Sequence, residues 1–215
     1  VQNINAINDQ EHLHLLIDNN TNIPDNSNFI NNGIENPIAE MFTSAQRLIN
    51  AGANILAMPC NTAHYYYDEL INLINAKYKN INFINMIDET AKTLSFLNCK
   101  DVFLLATTGT YNSNIYEKSF SNYSIKITTP CDSNKKIIMN SIYAFKANQT
   151  DYTKGIKNVI EEIVNSKVSN VILGCTELPL IFQNIVTDLN LVDPSLILAK
   201  TIINQYNMDL LNESL

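Results

Sequence analysis

Apolar positions along the chain follow two rhythms that alternate. Short continuous apolar runs at 53–57, 83–87, 101–106, 125–128, 170–173 and 189–192 read as strands covered on both faces, which need no polar side. Between them the spacing turns helical. Residues 36–50 place Ile38, Met41, Phe42, Ala45, Leu48 and Ile49 on one face, with Pro37 suited to the first turn and Gly52 to the end. Further helices are predicted at 65–76, 89–97, 133–147, 153–165 and 195–205. Residues 12–17 read as one more strand, followed by a loop over 18–25. Asp88, Asp132 and Asp193 stand where they could cap the helices they precede, and 107–110 reads as a polar turn. Strands alternating in this way with helices predict an α/β fold with parallel sheets.

Two of these strands run into a cysteine. The segments are Met58-Pro59-Cys60-Asn61-Thr62-Ala63-His64 and Leu173-Gly174-Cys175-Thr176-Glu177-Leu178-Pro179. Each thiol is thereby placed at the carboxyl edge of a parallel sheet, where α/β proteins bind ligands. Each also sits at the start of the next helix, whose dipole and free N–H groups favour a thiolate. Both units then lead to a strand that closes on an aspartate, Asp88 or Asp193, and to Ala91-Lys92-Thr93 or Ala199-Lys200-Thr201. The cysteine-to-aspartate intervals differ, so the repeat lies in the architecture and is not a tandem array. The expectation is two similar flavodoxin-like lobes, 1–92 with 196–215 and 93–195, facing each other across a cleft. Their closing helices are expected to cross between lobes. The chain opens on Val1 and a polar, helix-like piece, so an opening strand and most of a helix are expected ahead of it, with any targeting signal.

Composition narrows the class. A length of 215 residues with 46% hydrophobic and 16% charged residues describes an ordinary globular protein with a substantial core. The net charge of −7 argues against a broad nucleic-acid surface, and no apolar run has membrane-spanning length. The four cysteines lack CxxC spacing and the three histidines do not complete a ligand set, so no metal site is expected. Reduced thiols fit a cytoplasmic enzyme. Cys99 and Cys131 follow no buried strand and read as structural. His12 and His14 read as packing or surface residues. The single arginine, Arg47, lies off the apolar stripe of its helix and reads as solvated. No glycine loop for phosphate is present, Gly109 alone being weak evidence for one, and no lysine context points to pyridoxal phosphate.

Two opposed thiols without a metal suit inversion of an acidic carbon. One base takes a proton from one face while the other returns a proton to the opposite face, and the two exchange roles at each turnover. A free thiol titrates at roughly 8.5, near enough to working pH for a local field to tune it. The α-proton of an amino acid is far less acidic, so the carbanion needs aimed N–H groups and hydroxyls in a site that excludes water.

The Pro-Cys-Asn-Thr-Ala-His and Leu-Gly-Cys-Thr-Glu-Leu segments resemble the cofactor-independent aspartate/glutamate racemase superfamily, in particular its aspartate racemase branch, which carries Glu after the second Cys-Thr. The likeness extends through Asp9-Gln10-Glu11-His12, Ile23-Pro24-Asp25, residues 105–110 and Ile142-Tyr143-Ala144-Phe145-Lys146. It implies an amino-acid racemase, of aspartate or a related amino acid, with Cys60 and Cys175 as acid/bases and no cofactor. Asn61, Thr62 and Thr176 would hold the α-carboxylate and amino group. Thr107 and Thr110 would line the cleft from the second lobe, and Lys146 would face the side-chain carboxylate. Glu177 would tune Cys175, while His64 either supports Cys60 or lies on a helix surface. A homodimer is expected by the same likeness. Relatives active on aspartate carry Ile-Pro-Asp-Arg, whose arginine helps grip the distal carboxylate; Asn26 stands in that place here. A weaker or altered preference for acidic side chains follows. Nothing in the chain corresponds to the family's Gly-Gly-Met-Gly-Pro-like turn. Two other readings stay open: another cysteine-dependent enzyme of the superfold (a decarboxylase, hydantoin racemase or maleate isomerase), or a non-catalytic amino-acid-binding module.

Overall fold

The computed structural model describes residues 6–205. After a 3₁₀ turn at Asp9–Glu11, the elements are α1 (Asn26–Asn32), α2 (Ile38–Asn50), β1 (Ile55–Ala57), a 3₁₀ turn at Thr62–Tyr66, α3 (Tyr67–Lys77), β2 (Asn82–Ile84) and α4 (Met86–Phe96). There follow β3 (Asp101–Ala106), α5 (Thr108–Ser113), α6 (Ile115–Ser121), β4 (Lys126–Thr128), α7 (Asp132–Lys146) and α8 (Ile156–Ser166). The chain then adds β5 (Asn170–Gly174), α9 (Glu177–Phe182), β6 (Asn190–Val192) and α10 (Pro194–Gln205). All strand pairs are parallel. β1 and β2 form a two-stranded sheet, and the other four strands form a sheet in the order β4-β3-β5-β6.

Alternation along β3 sorts its side chains to two cores. Val102, Leu104 and Ala106 join Ile172 of β5 beneath α4, α6 and α10, represented by Ala91, Phe120 and Leu198. Phe103 and Leu105 face the other way, onto Ile138 and Ile142 of α7, Val159 and Ile163 of α8, and Ile181 of α9. Because both faces are covered, the strand sequence reads as a continuous apolar run. Gly174 is required at the end of β5: a Cβ there would lie 2.9 Å from Leu104 Cδ1 and 3.0 Å from the Leu105 carbonyl. The first core shares Ile84 with β2 and touches Ile55 and Ala57 of β1, so α4 extends from the small sheet onto the large one. α10 packs along α4. A third cluster, with Leu56, Ala63, Leu70 and Ile74, fills the space between the small sheet, α2 and α3.

Several sequence expectations need correction. Residues 12–17 form no strand: a cavity of about 230 Å³ lies between them and β1, and Leu15, Leu16 and Ile17 are exposed. Strand β2 stops at Ile84, and Asn85 rather than Asp88 caps α4, accepting the Ile87 and Asp88 N–H groups. Asp88 accepts the Ser119 hydroxyl instead. Asp132 is the first residue of α7, behind Cys131 at the cap position. Asp193 does accept the Ser195 N–H, at 2.8 Å. Arg47 pairs with Asp18 at 3.2 Å on the surface. Residues 1–5 and 206–215 of the expected first lobe lie outside the described residues. Among the described residues no helix is long and apolar enough to cross a membrane.

Candidate active site

Both cysteine strands deliver their thiols to one cleft. Cys60 follows β1 and Cys175 follows β5, and they line the same space of about 90 Å³. Asn26, Asn61, Thr62, Thr107, Lys146, Thr176 and Glu177 line it too. Nine of the expected site residues are thereby brought together, with the apolar side chains of α7 as a wall. Both cysteines are free thiols.

Hydroxyls join the two sides behind the cleft. Thr62 Oγ1 lies 2.9 Å from Thr107 Oγ1 and 2.9 Å from Thr110 Oγ1, and the last two are 3.1 Å apart. Thr107 also caps α5 by accepting the Thr110 N–H at 3.2 Å. Thr110 is fully buried behind Thr62 and Thr107 and does not line the cleft, contrary to expectation. A side chain on the inner face of α5 points into the interface, so its part is to hold its two neighbours.

Asn61 is held by its own partner. Its Oδ1 accepts the hydroxyl of Tyr116, from α6, at 2.5 Å, which leaves the Nδ2 group without a protein partner. His64 is buried: its Nδ1 sits 2.8 Å from the Cys60 carbonyl, and its Nε2 accepts the Met86 N–H at 3.1 Å. These bonds place the proton on Nδ1, and burial lowers the imidazole pKa to about 4. His64 therefore ties the Cys60 backbone to the start of α4 as a neutral ring, which decides the choice left open by the sequence.

Around Cys175 the groups form a charged cluster. Its thiol donates to Glu177 Oε2 at 2.9 Å, the Thr176 hydroxyl donates to the same oxygen at 3.0 Å, and Lys146 Nζ lies 3.5 Å from Glu177 Oε1. Burial, with the hydrogen bond and charge of Glu177, pushes the Cys175 thiol up to about 12. Burial likewise raises Cys60, outweighing its backbone N–H partners. The thiolate-favouring field expected from the helix starts is thus overridden, because desolvation penalises the anion more than nearby N–H groups reward it. Glu177 is held below the carboxylate range: burial opposes this, but the Cys175 bond and Lys146 prevail. Lys146 is raised by Glu177, against its own burial.

Sequence reasoning missed α1 and two of its cleft residues, Asp25 and Ser27, although the signals were present. Asp25 accepts the Asn28 N–H as an N-cap, and Gly33 closes α1 at φ +69°. It also missed α5 and α6, and with them Tyr116. Gly109 serves packing: a Cβ there would lie 2.7 Å from Ser27 Oγ and 2.8 Å from Ser27 Cα, so it lets α1 sit on α5. Of the three consecutive tyrosines, Tyr66 is buried and none lines the cleft. Among the described residues no group of three or more His, Cys, Asp or Glu is arranged to hold a metal.

Two parallel sheets sharing a cleft that carries one cysteine from each define the class, and sequence comparison defines it independently. The sequence model of the family Asp/Glu/Hydantoin racemase matches residues 1–202, and the chain belongs to that family. It resembles the aspartate racemase of Picrophilus torridus with a TM-score of 0.84 and 31% identity, covering 97% of this chain and 86% of that one. An aspartate racemase homologue from Pyrococcus horikoshii follows at TM-score 0.68 and 25% identity, over 84% of this chain and 80% of the other. Among curated proteins, the broad specificity amino-acid racemase of Bacillus subtilis is 26% identical over 163 residues, 75% of this chain and 69% of that protein.

Proposed function

We propose that the chain is a cofactor-independent amino-acid racemase in which Cys60 and Cys175 are the two acid/bases. The observation that carries this reading is their shared cleft, reached from two different sheets. Similarity to an aspartate racemase and to a broad specificity racemase supports an α-amino acid as substrate. In the forward direction the thiolate of one cysteine takes the Cα proton, and the C–H electron pair moves onto the α-carboxylate. The other thiol then gives its proton to the opposite face. The reverse direction exchanges the two roles.

The remaining side chains have parts that fit this scheme. Asn61 Nδ2, unpartnered and turned by Tyr116, is a donor for the α-carboxylate as charge builds there, with the Thr62 hydroxyl alongside. The Thr176 hydroxyl, whose proton goes to Glu177, keeps an acceptor for the substrate ammonium group. A substrate ammonium group supplies the positive charge that two buried thiols need in order to ionise. Lys146 is kept protonated by Glu177, which disfavours a Schiff base at the one lysine of the cleft among the described residues.

The test is incubation of the protein with single L-amino acids in D₂O, reading both chirality and deuterium at Cα. Cys60→Ser and Cys175→Ser should each abolish inversion, and exchange from the L-amino acid should persist only in the variant that keeps the cysteine facing its Cα proton. Normal racemisation by either variant would refute the two-base assignment. Binding without any exchange would favour a non-catalytic module.

A further inference from the structure

The charges at the cleft bear on which side chain the substrate carries. Among the described residues, Lys146 is the only cation lining it, and its ammonium is 3.5 Å from Glu177. Glu177 in turn receives Cys175 and Thr176. The second carboxylate, Asp25, is exposed and accepts the Asn28 N–H at 2.7 Å, with the first turn of α1 as its counter-charge. The Lys146 and Glu177 charges therefore answer each other, while Asp25 is solvated and held by a backbone N–H. A β-carboxylate entering here would find no free cation, and would have to draw Lys146 from Glu177 and leave that carboxylate half-buried without its partner. A cationic side chain would find Glu177 already paired with Lys146 and Asp25 exposed to solvent, where its attraction is screened.

Neutral polar contacts are what remain open. Asn26 lines the cleft from the start of α1, and its Oδ1 is enclosed with no hydrogen-bond partner. An amide offers a neutral carbonyl acceptor and a neutral NH2 donor, never the charged fork that a carboxylate rewards. Met139 and Ile142 of α7 add apolar surface on the same cleft.

We infer that this site selects α-amino acids with small uncharged side chains, such as serine, alanine or asparagine, over aspartate and over lysine. This rests on the racemase reading above and narrows its substrate.

The deciding experiment uses the full chain with L-Ser, L-Ala, L-Asn, L-Asp, L-Glu and L-Lys in D₂O at neutral pH. It compares kcat/KM for α-proton exchange. The best uncharged substrate should exceed aspartate, glutamate and lysine by tenfold or more. Exchange in which a charged substrate equals or exceeds every uncharged one overturns the selectivity and leaves the racemase intact. Absence of exchange with every amino acid overturns both. Asn26→Arg supplies a free cation and should raise the aspartate-to-serine ratio at least tenfold. An unchanged ratio in a folded Asn26→Arg protein would also overturn the inference, since charge at this position would then not govern selection.

Discussion

Replacing Glu177 with glutamine tests the electrostatics of the site directly. Cys175 is pushed up to about 12 by burial first and then by Glu177, which both accepts the S–H and places a negative charge beside the sulfur. Glutamine removes the charge and keeps an acceptor. It also frees Lys146, now 3.5 Å from the carboxylate, to act on the thiol alone. Loss of a like charge at this range lowers a pKa by roughly one to three units. A shift of about two units raises the thiolate fraction at pH 8 about a hundredfold. A less basic thiolate is also less nucleophilic, with a Brønsted slope of about 0.4–0.5, so the net gain in alkylation rate is about tenfold. The assay is iodoacetamide labelling against pH, with Cys60, Cys99 and Cys131 replaced by serine so that only Cys175 reacts. The inflection should move to lower pH in Glu177→Gln. An inflection that stays in place would mean that burial alone sets the pKa and that Glu177 does not tune this thiol.

Other perturbations give separate checks. His64 titrates at about 4 when folded and at 6.5 when free, so the unfolded chain binds its proton first as pH falls. Its contribution is full above pH 6.5 and is lost between there and pH 4, a change of about 3 kcal/mol. Urea titrations at pH 7 and pH 4.5 should show His64→Gln losing less stability than the parent over that window, and parallel losses would contradict the neutral-ring assignment. Gly109→Ala drives a Cβ to 2.8 Å from the Ser27 backbone; a cost of about 1–3 kcal/mol and a raised KM are expected, because α1 carries Asn26. Thr62→Val removes two hydroxyl contacts between the sheets and should cost about 1 kcal/mol, or about 2–4 °C in Tm, by calorimetry.

The cysteine segments were legible because their signal is local. A buried apolar run, a thiol and small polar residues at a helix start lie within a few positions, and the same grammar twice implied a shared cleft. The central strands β3 and β5 were legible for a similar reason, since strands covered on both faces have no polar alternation to confuse them. Short helices were not. α5 and α6 together span 108–121 around Asn114, which adopts φ 52°; a threonine, glycine and asparagine stretch of this kind carries turn signals that tertiary packing overrides. Tyr116 was hidden with them, because its partner Asn61 lies 55 positions away. Residues 12–17 failed in the opposite direction. Their apolar composition suits a strand, but a strand also requires a ladder partner at hydrogen-bonding distance, which composition does not encode.

The raised thiols are not at odds with two-base chemistry. Burial that suppresses the thiolate also makes that thiolate, once formed, a stronger base by the same free energy. A carbon acid as weak as an amino-acid α-position gains from such a base, provided ionisation is triggered only when substrate is present. An ammonium group beside the sulfur is a trigger of the right sign, and excluding water keeps its effect undiluted. Glu177→Gln therefore has opposed consequences: more Cys175 is ionised, but each thiolate is weaker. Deuterium incorporation initiated at Cys175 should become less dependent on pH while its plateau rate falls. The direction initiated at Cys60, whose thiol is raised chiefly by its own burial, should change less. A symmetrical loss in both directions would place Glu177 in substrate binding instead, because only an effect on one sulfur can separate the two enantiomers.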